Sequence, residues 1–268
     1  MSVDATYLTK TPHTRRVLIT GATGAIGGAL AKAYATPQTH LILHGRNVSA
    51  LEDVANACRE KGLTCRSPPS TSLMREALAQ WLTTLRAEQL PDIVIANAGK
   101  NTHPEQLGEL EPWADVQALL NINLTTPLPW RSTWYPPCAH GVAANWYSLA
   151  HWQVGMDYPA RPRTVPAKRA SKRMAKPCAA CSPCGIGVTV VMPGYVTSPM
   201  CNAMPGPKPF EWPPERAAKV IIRGIRANRA RVSFPFPLNF GTWWLAVLPA
   251  GVSQWLIKRL GFDHVGGR

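Results

Sequence analysis

The chain has 268 residues, 46% of them hydrophobic, enough for one large α/β domain with a substantial core. It carries 29 Lys/Arg against 15 Asp/Glu, a formal net charge of +14, which calls for a polyanionic partner only if the charge lies on one continuous face. The absence of any uninterrupted run of about 18 apolar residues excludes a conventional membrane-spanning helix. With no secretory signal at the N-terminus, the seven cysteines fit a reducing cytoplasm better than a disulfide framework.

In chain order, "RRVLITGATGAIGGALAKAYA" reads as a buried strand over Val17 to Thr20, a glycine turn, and a helix starting at the last glycines. "HLILHGRN" is a second strand ending in a basic residue, and "VSALEDVANACREKG" has helical spacing with a glycine stop at Gly62. A further helix, "REALAQWLTTLRAEQ", leads into the short apolar strand of "PDIVIANAGK". "EPWADVQALLNINLTTPL" predicts a long helix, and "GIGVTVVMPGYVTSPM" a strand followed by a loop. Alternating strands and helices imply a parallel sheet covered on both faces.

Between Trp130 and Pro183 neither period holds. That stretch has eight Lys/Arg against one acid, Asp157, and so supplies half of the net charge. It also contains most of the triplet Cys178, Cys181 and Cys184, which as a zinc or iron–sulfur site lacks a fourth ligand at suitable spacing; no metal is expected. The tail, "FPFPLNFGTWWLAVLPAGVSQWLIKRLGF", is interrupted by Pro and Gly. It reads as a pair of short helices covering the body, with a peripheral membrane contact as the alternative, since Trp and Lys/Arg beside apolar residues suit an interface.

The glycine turn carries the first chemistry. A strand entering a tight turn at a helix start lets the backbone approach a pyrophosphate, and the helix dipole favours the anion. Gly21, Thr23, Gly24, Ala25 and Ile26 form this turn. Arg46, just past the second strand, would suit a ribose 2′-phosphate where an acid would bind ribose hydroxyls, which favours NADP over NAD.

Together with "ANAG" at Ala96 to Gly99, Asn123 in "NINL" and "MPGYVTSPM" at Met192 to Met200, these residues resemble the short-chain dehydrogenase/reductase family in order and spacing. The resemblance covers residues 15 to 129 and 184 to about 232. It implies that Asn97, Ala98 and Gly99 pack beside the adenosine ribose. It further implies that Pro193, Gly194, Val196 and Thr197 line the nicotinamide, Thr197 touching the carboxamide, and that Asn123 holds a water in a proton relay. The turn has Gly24 and Ala25 where the family more often has another residue and then Gly.

The same resemblance implies a Tyr hydroxyl as proton donor, a Lys four residues later that lowers its pKa, and a Ser some thirteen residues earlier on the substrate oxygen. Between Asn123 and Gly185 no Tyr is followed by Lys at that spacing: Tyr135 meets Ala139, Tyr147 meets His151 and Tyr158 meets Pro162. The genetic code offers a reason. Joining the last base of each codon to the first two of the next permits Y-S-A-S-K-A-G-V-K-A-Y-G-E-A-L-R-G-L-L-A from Arg163 onward, and K-L-V-L-I-S-S-L-A from Ala144. The Ser straddling Ala150 and His151 falls thirteen places before the Tyr straddling Arg163 and Thr164. The single codons of Met174, Trp146 and Trp152 force Gly, Val and Ala in that frame, all suited to the family pattern, so a reading frame displaced through this segment is expected.

The expected architecture is a single-domain, Rossmann-like doubly wound parallel sheet of about seven strands. Residues 1–14 form an N-terminal extension, 15–232 the dinucleotide-binding domain with 130–183 anomalous, and 233–268 an apolar extension. The expected function is NADP(H)-dependent interconversion of a carbonyl and an alcohol by a cytoplasmic or membrane-associated protein that binds no nucleic acid; the apolar tail fits a hydrophobic, lipid-like carbonyl and equally well a cover for the core. The chain as it stands is expected to be inactive and poorly folded around Trp130 to Pro183, because Pro, Arg and Lys replace a core helix. A non-enzymatic NADP-binding sensor or scaffold is the rival from another class, and a homo-oligomer is left open.

Overall fold

A computed structural model describes residues 14–60, 64–66, 75–88, 90–101, 112–125, 145–149, 187–204, 208–237 and 248–259. Its centre is a seven-stranded sheet in the order β3-β2-β1-β4-β5-β6-β7, every neighbouring pair parallel. The strands are β1 (Arg15–Thr20), β2 (Thr39–His44), β3 (Thr64–Arg66), β4 (Ile93–Ala96), β5 (Asn145–Leu149), β6 (Val188–Pro193) and β7 (Arg231–Phe234). The helices are α1 (Ala25–Tyr34), α2 (Val48–Arg59), α3 (Arg75–Glu88), α4 (Trp113–Leu120), α5 (Pro199–Asn202), α6 (Pro214–Arg226) and α7 (Ala250–Arg259).

Both faces of the sheet are covered, so the strands read as apolar runs rather than alternating ones. Val17 and Ile19 of β1 face a core built with Leu30 and Tyr34 of α1, Leu51 of α2 and Ile221 and Ile225 of α6. Leu18, Ile42 and Val94 face the other way, against Leu85 of α3. Helix α6 packs along α1 on the first face. Its buried positions, Ala217, Ala218, Ile221, Ile222 and Ile225, recur at helical spacing, with Pro214 in the first turn. At their contact the Tyr34 hydroxyl is pushed up to about 12 by burial, against the opposing pull of Arg226 and Arg15.

Two expectations change. The long helix of "EPWADVQALLNINLTTPL" is α4 followed without a break by a π-helical turn, Asn121–Thr125. The stretch 130–183, in which no period is legible, contributes β5 to the sheet interior, with Trp146 aligned to Val94 and Val188 and Tyr147 to Ile95 and Thr189. Trp and Tyr have high strand propensity, and two neighbouring strands supply the ladder that the sequence pattern does not announce. The rest of that stretch, including Cys178 and Cys181, with Cys184 beyond it, lies outside the described residues.

At the end of β2, His44 is buried and stacks on Trp81 of α3, ring centroids 5.3 Å apart. Burial holds its imidazole pKa down to about 4. The unfolded chain therefore takes up a proton near pH 6.5 that the folded chain refuses until about pH 4, so stability falls as pH drops through that window. The expected loss is about 3 kcal/mol, absent above pH ~6.5 and complete below pH ~4. Urea unfolding at successive pH values checks it: His44→Phe should flatten this part of the acid limb, and an unchanged slope would assign the loss to other groups.

Candidate cofactor and active site

β1, β4 and β6 are parallel and end on one edge of the sheet at Thr20, Ala96 and Pro193. β1 and β4 lie where the strand order reverses, and the crevice outside the carboxyl ends at such a point is where open parallel sheets bind ligands. The glycine turn occupies this edge. Gly21 has φ +64°, the left-handed region that glycine tolerates, and a Cβ there would lie 2.8 Å from the Ala98 Cα. Gly24 caps α1; Thr23 and Gly24 are exposed, and Ala25 and Ile26 half-buried.

Thr20 and Asn97 lock the turn to β4. The Thr20 hydroxyl oxygen accepts from the backbone N–H groups of Asn97 and Ala98, each at 3.0 Å. In return the Asn97 side-chain amide donates to the carbonyls of Thr20 and Gly21, both at 3.0 Å. These bonds cross more than 70 residues of chain and fix the turn before any ligand arrives.

A second clamp joins the loop after β4 to the π-helical turn. Asn123 Oδ1 accepts from the Lys100 backbone N–H and Asn123 Nδ2 donates to the Lys100 carbonyl, each at 2.9 Å. The Lys100 ammonium pairs with Asp115 on α4. A Cβ on Gly99 would come within 3.3 Å of Asn123 Oδ1, so the three residues are closely set. The side-chain amide of Asn123 thus holds a peptide.

The loop after β6 is tied down as well. Pro193 and Gly194 are buried, the Gly194 N–H donating to the Phe234 carbonyl at 2.7 Å. Val196 is buried and bridges to Trp212; Thr197 is exposed, its backbone N–H donating to the Trp212 carbonyl at 3.0 Å. Ser198 caps α5 by accepting from the Cys201 N–H. At the end of β2, Arg46 is exposed, and a Cβ on the intervening Gly45 would meet the Thr23 side chain at 3.1 Å. The end of β2 thus lies close against the glycine turn at Thr23. Thr20, Lys100, Asp115 and Trp212 were not singled out from sequence; of these only Thr20, next to the glycine turn, had a local signal.

Residues 15–206 match the family described as short chain dehydrogenase. The chain belongs to the short-chain dehydrogenase family. An oxidoreductase of Myxococcus xanthus, of uncharacterised activity, is 27% identical over 254 residues, covering 92% of this chain and 97% of its own length. A fatty acyl-CoA reductase of Mycobacterium tuberculosis is 29% identical over 115 residues, 42% of this chain and 39% of that one. Among solved structures, a short-chain dehydrogenase from Sphingobium yanoikuyae in complex with NADPH superposes with a TM-score of 0.76 at 19% identity, covering 91% of this chain and 95% of that one. A bulky-bulky ketone specific alcohol dehydrogenase from Comamonas testosteroni superposes with a TM-score of 0.72 at 17% identity, covering 96% and 98%. Both share the short-chain dehydrogenase fold, and the chain is by family an oxidoreductase.

Proposed function

We propose that the natural gene product interconverts a carbonyl and an alcohol with NADP(H), and that the chain as it stands retains the cofactor half of this machinery without the proton-transfer half. The observation that carries the proposal is the preformed turn. Gly21 and Gly27 let backbone approach backbone where any Cβ would collide, and Thr20 and Asn97 hold that geometry from below. Such a cradle, opening on the first turn of α1, fits a pyrophosphate. Bound there, the nicotinamide cofactor would supply the hydride.

The chain's own residues have separate tasks. The turn and α1 would hold the phosphates; Asn97, Ala98 and Gly99 would flank the adenosine ribose; Pro193, Gly194, Val196 and Thr197 would orient the nicotinamide. Asn123, by fixing the Lys100 peptide, would set one wall of the proton relay. Its partners, Tyr, Lys and Ser, are supplied only by the displaced frame. β5 ends at Leu149, on the site's edge of the sheet, and the codons of Ala150 and His151, which yield that Ser, follow directly in sequence.

NADP is favoured over NAD by exposed Arg46, which stands just past β2 where an acid would bind ribose hydroxyls. A bulky apolar carbonyl is the favoured substrate class, in keeping with the apolar tail and with the ketone and fatty acyl substrates named for two similar proteins. Arg46→Ala should weaken NADPH binding by about 10- to 100-fold, the worth of charge-assisted bonds to a phosphate, and leave NADH binding nearly unchanged. Fluorescence titration with both nucleotides measures this, and equal losses for the two would assign Arg46 no part in 2′-phosphate recognition.

A further inference from the structure

Helix α6 has one face in the core and a second face that neither the fold nor the cofactor site uses. Arg216, Lys219, Arg223 and Arg226 are all exposed and recur at three- and four-residue spacing, so they form one straight cationic ridge along the outside of the helix. The ridge continues past the helix end into exposed Arg229 and into Arg231, which opens β7 at the free edge of the described sheet. Exposed Arg15, at the start of β1, lies close enough to act on Tyr34 together with Arg226, so it borders the same patch. Among the described residues none of these seven cations is in an ion pair. Glu215, in the first turn, is the one acid of the helix. Stability does not call for such a row, because like charges one turn apart repel.

We propose that the outer face of α6, with Arg229, Arg231 and Arg15, docks on an anionic phospholipid surface. A straight row of cations on a helix lying along the outside of a domain is complementary to a plane of lipid phosphates. Large apolar side chains follow in the chain: Phe236, 78% exposed in the turn after β7, and on α7 Trp255 and Val252, 58% and 45% exposed, with Arg259 over the Trp255 ring. Basic groups combined with exposed Trp and Phe are the two signals that hold a protein at a membrane interface. A nucleic acid would want aromatic rings open for stacking beside the ridge. Trp212, whose ring Arg216 of the ridge covers, is stacked on Phe234 and is not open to a base. Docking would bring the enzyme to apolar substrates dissolved in lipid, but the surface stands on charge and exposure alone, independently of the reaction.

Sedimentation of the full chain with phosphatidylcholine vesicles, with and without phosphatidylglycerol, tests the proposal. Binding should require phosphatidylglycerol and weaken steeply with salt. Each cation near such a surface contributes about fivefold, so the triple variant Lys219→Gln, Arg223→Gln, Arg226→Gln should bind roughly 100-fold more weakly. If that variant fails to fold, the single variants Lys219→Gln and Arg229→Gln at exposed positions carry the test, each expected to bind about fivefold more weakly. Failure to bind phosphatidylglycerol vesicles, binding by the folded variant equal to the parent's, or tighter binding to an RNA oligonucleotide than to vesicles would overturn it.

Discussion

A chain whose codons between Trp130 and Pro183 are returned to the displaced frame is expected to consume NADPH in the presence of a bulky ketone, and the chain as it stands is expected not to. The restored segment would carry Tyr, Lys four residues later and Ser thirteen residues earlier, while every residue that clamps the cofactor turn stays the same. General acid catalysis alone contributes about 100- to 10,000-fold, so the gain in turnover should reach at least ~100-fold. Nucleotide binding should change much less, because Gly21, Thr20 and Asn97 lie outside the altered segment. Replacing the restored tyrosine by phenylalanine should remove the turnover again and leave binding in place. A rise in binding that accounts for the whole gain would mean that the segment acts through folding and contributes no proton transfer.

Gly27→Ala should cripple the site by a different route. A Cβ there would lie 2.2 Å from the Gly21 carbonyl oxygen and 2.7 Å from Asn97 Nδ2. The nearest obstacle is backbone, which cannot rotate away, so α1 must move off the turn. Overpacking of this kind costs about 3 kcal/mol, or roughly 6–12 °C in Tm for a chain of this size, and a shift of about 1 Å in the turn should weaken NADPH binding by roughly 100-fold. The neighbouring Gly28→Ala is the control. Its Cβ would meet Ala22 O at 3.4 Å and the Val54 side chain at 4.0 Å, ordinary contacts, so helix propensity should make it neutral or stabilising by up to about 1 kcal/mol. Equal thermal shifts in the two variants would contradict the close-approach reading of the turn.

Most of the sheet and the glycine turn were legible because they depend on local patterns. Buried parallel strands read as apolar runs, and "LITGATGAIGG" carries strand, turn and helix start within eleven residues. β5 was not legible, because Asn145–Leu149 owes its place to β4 and β6 rather than to any period of its own. The signal for α6 was present, in Pro214 and in the spacing of Ala217, Ala218, Ile221, Ile222 and Ile225, but no motif drew attention to it. The clamps were beyond reach for another reason. Asn123 meets the Lys100 peptide across 23 residues and Asn97 meets Gly21 across 76, and nothing in composition or spacing encodes such pairings. Family resemblance pointed to Asn123 through a water; the structure adds the peptide that its side chain holds.

The displaced frame is the most exposed part of this account, and sequencing the coding DNA from the codon of Asn123 to that of Gly185 tests it directly. One base gained or lost near each end of the segment is the predicted result, and it would return Tyr, Lys and Ser to an oxidoreductase that already has its preformed glycine turn. An uninterrupted frame matching the chain as it stands would contradict the catalytic reading and leave a short-chain dehydrogenase fold without its proton-transfer residues.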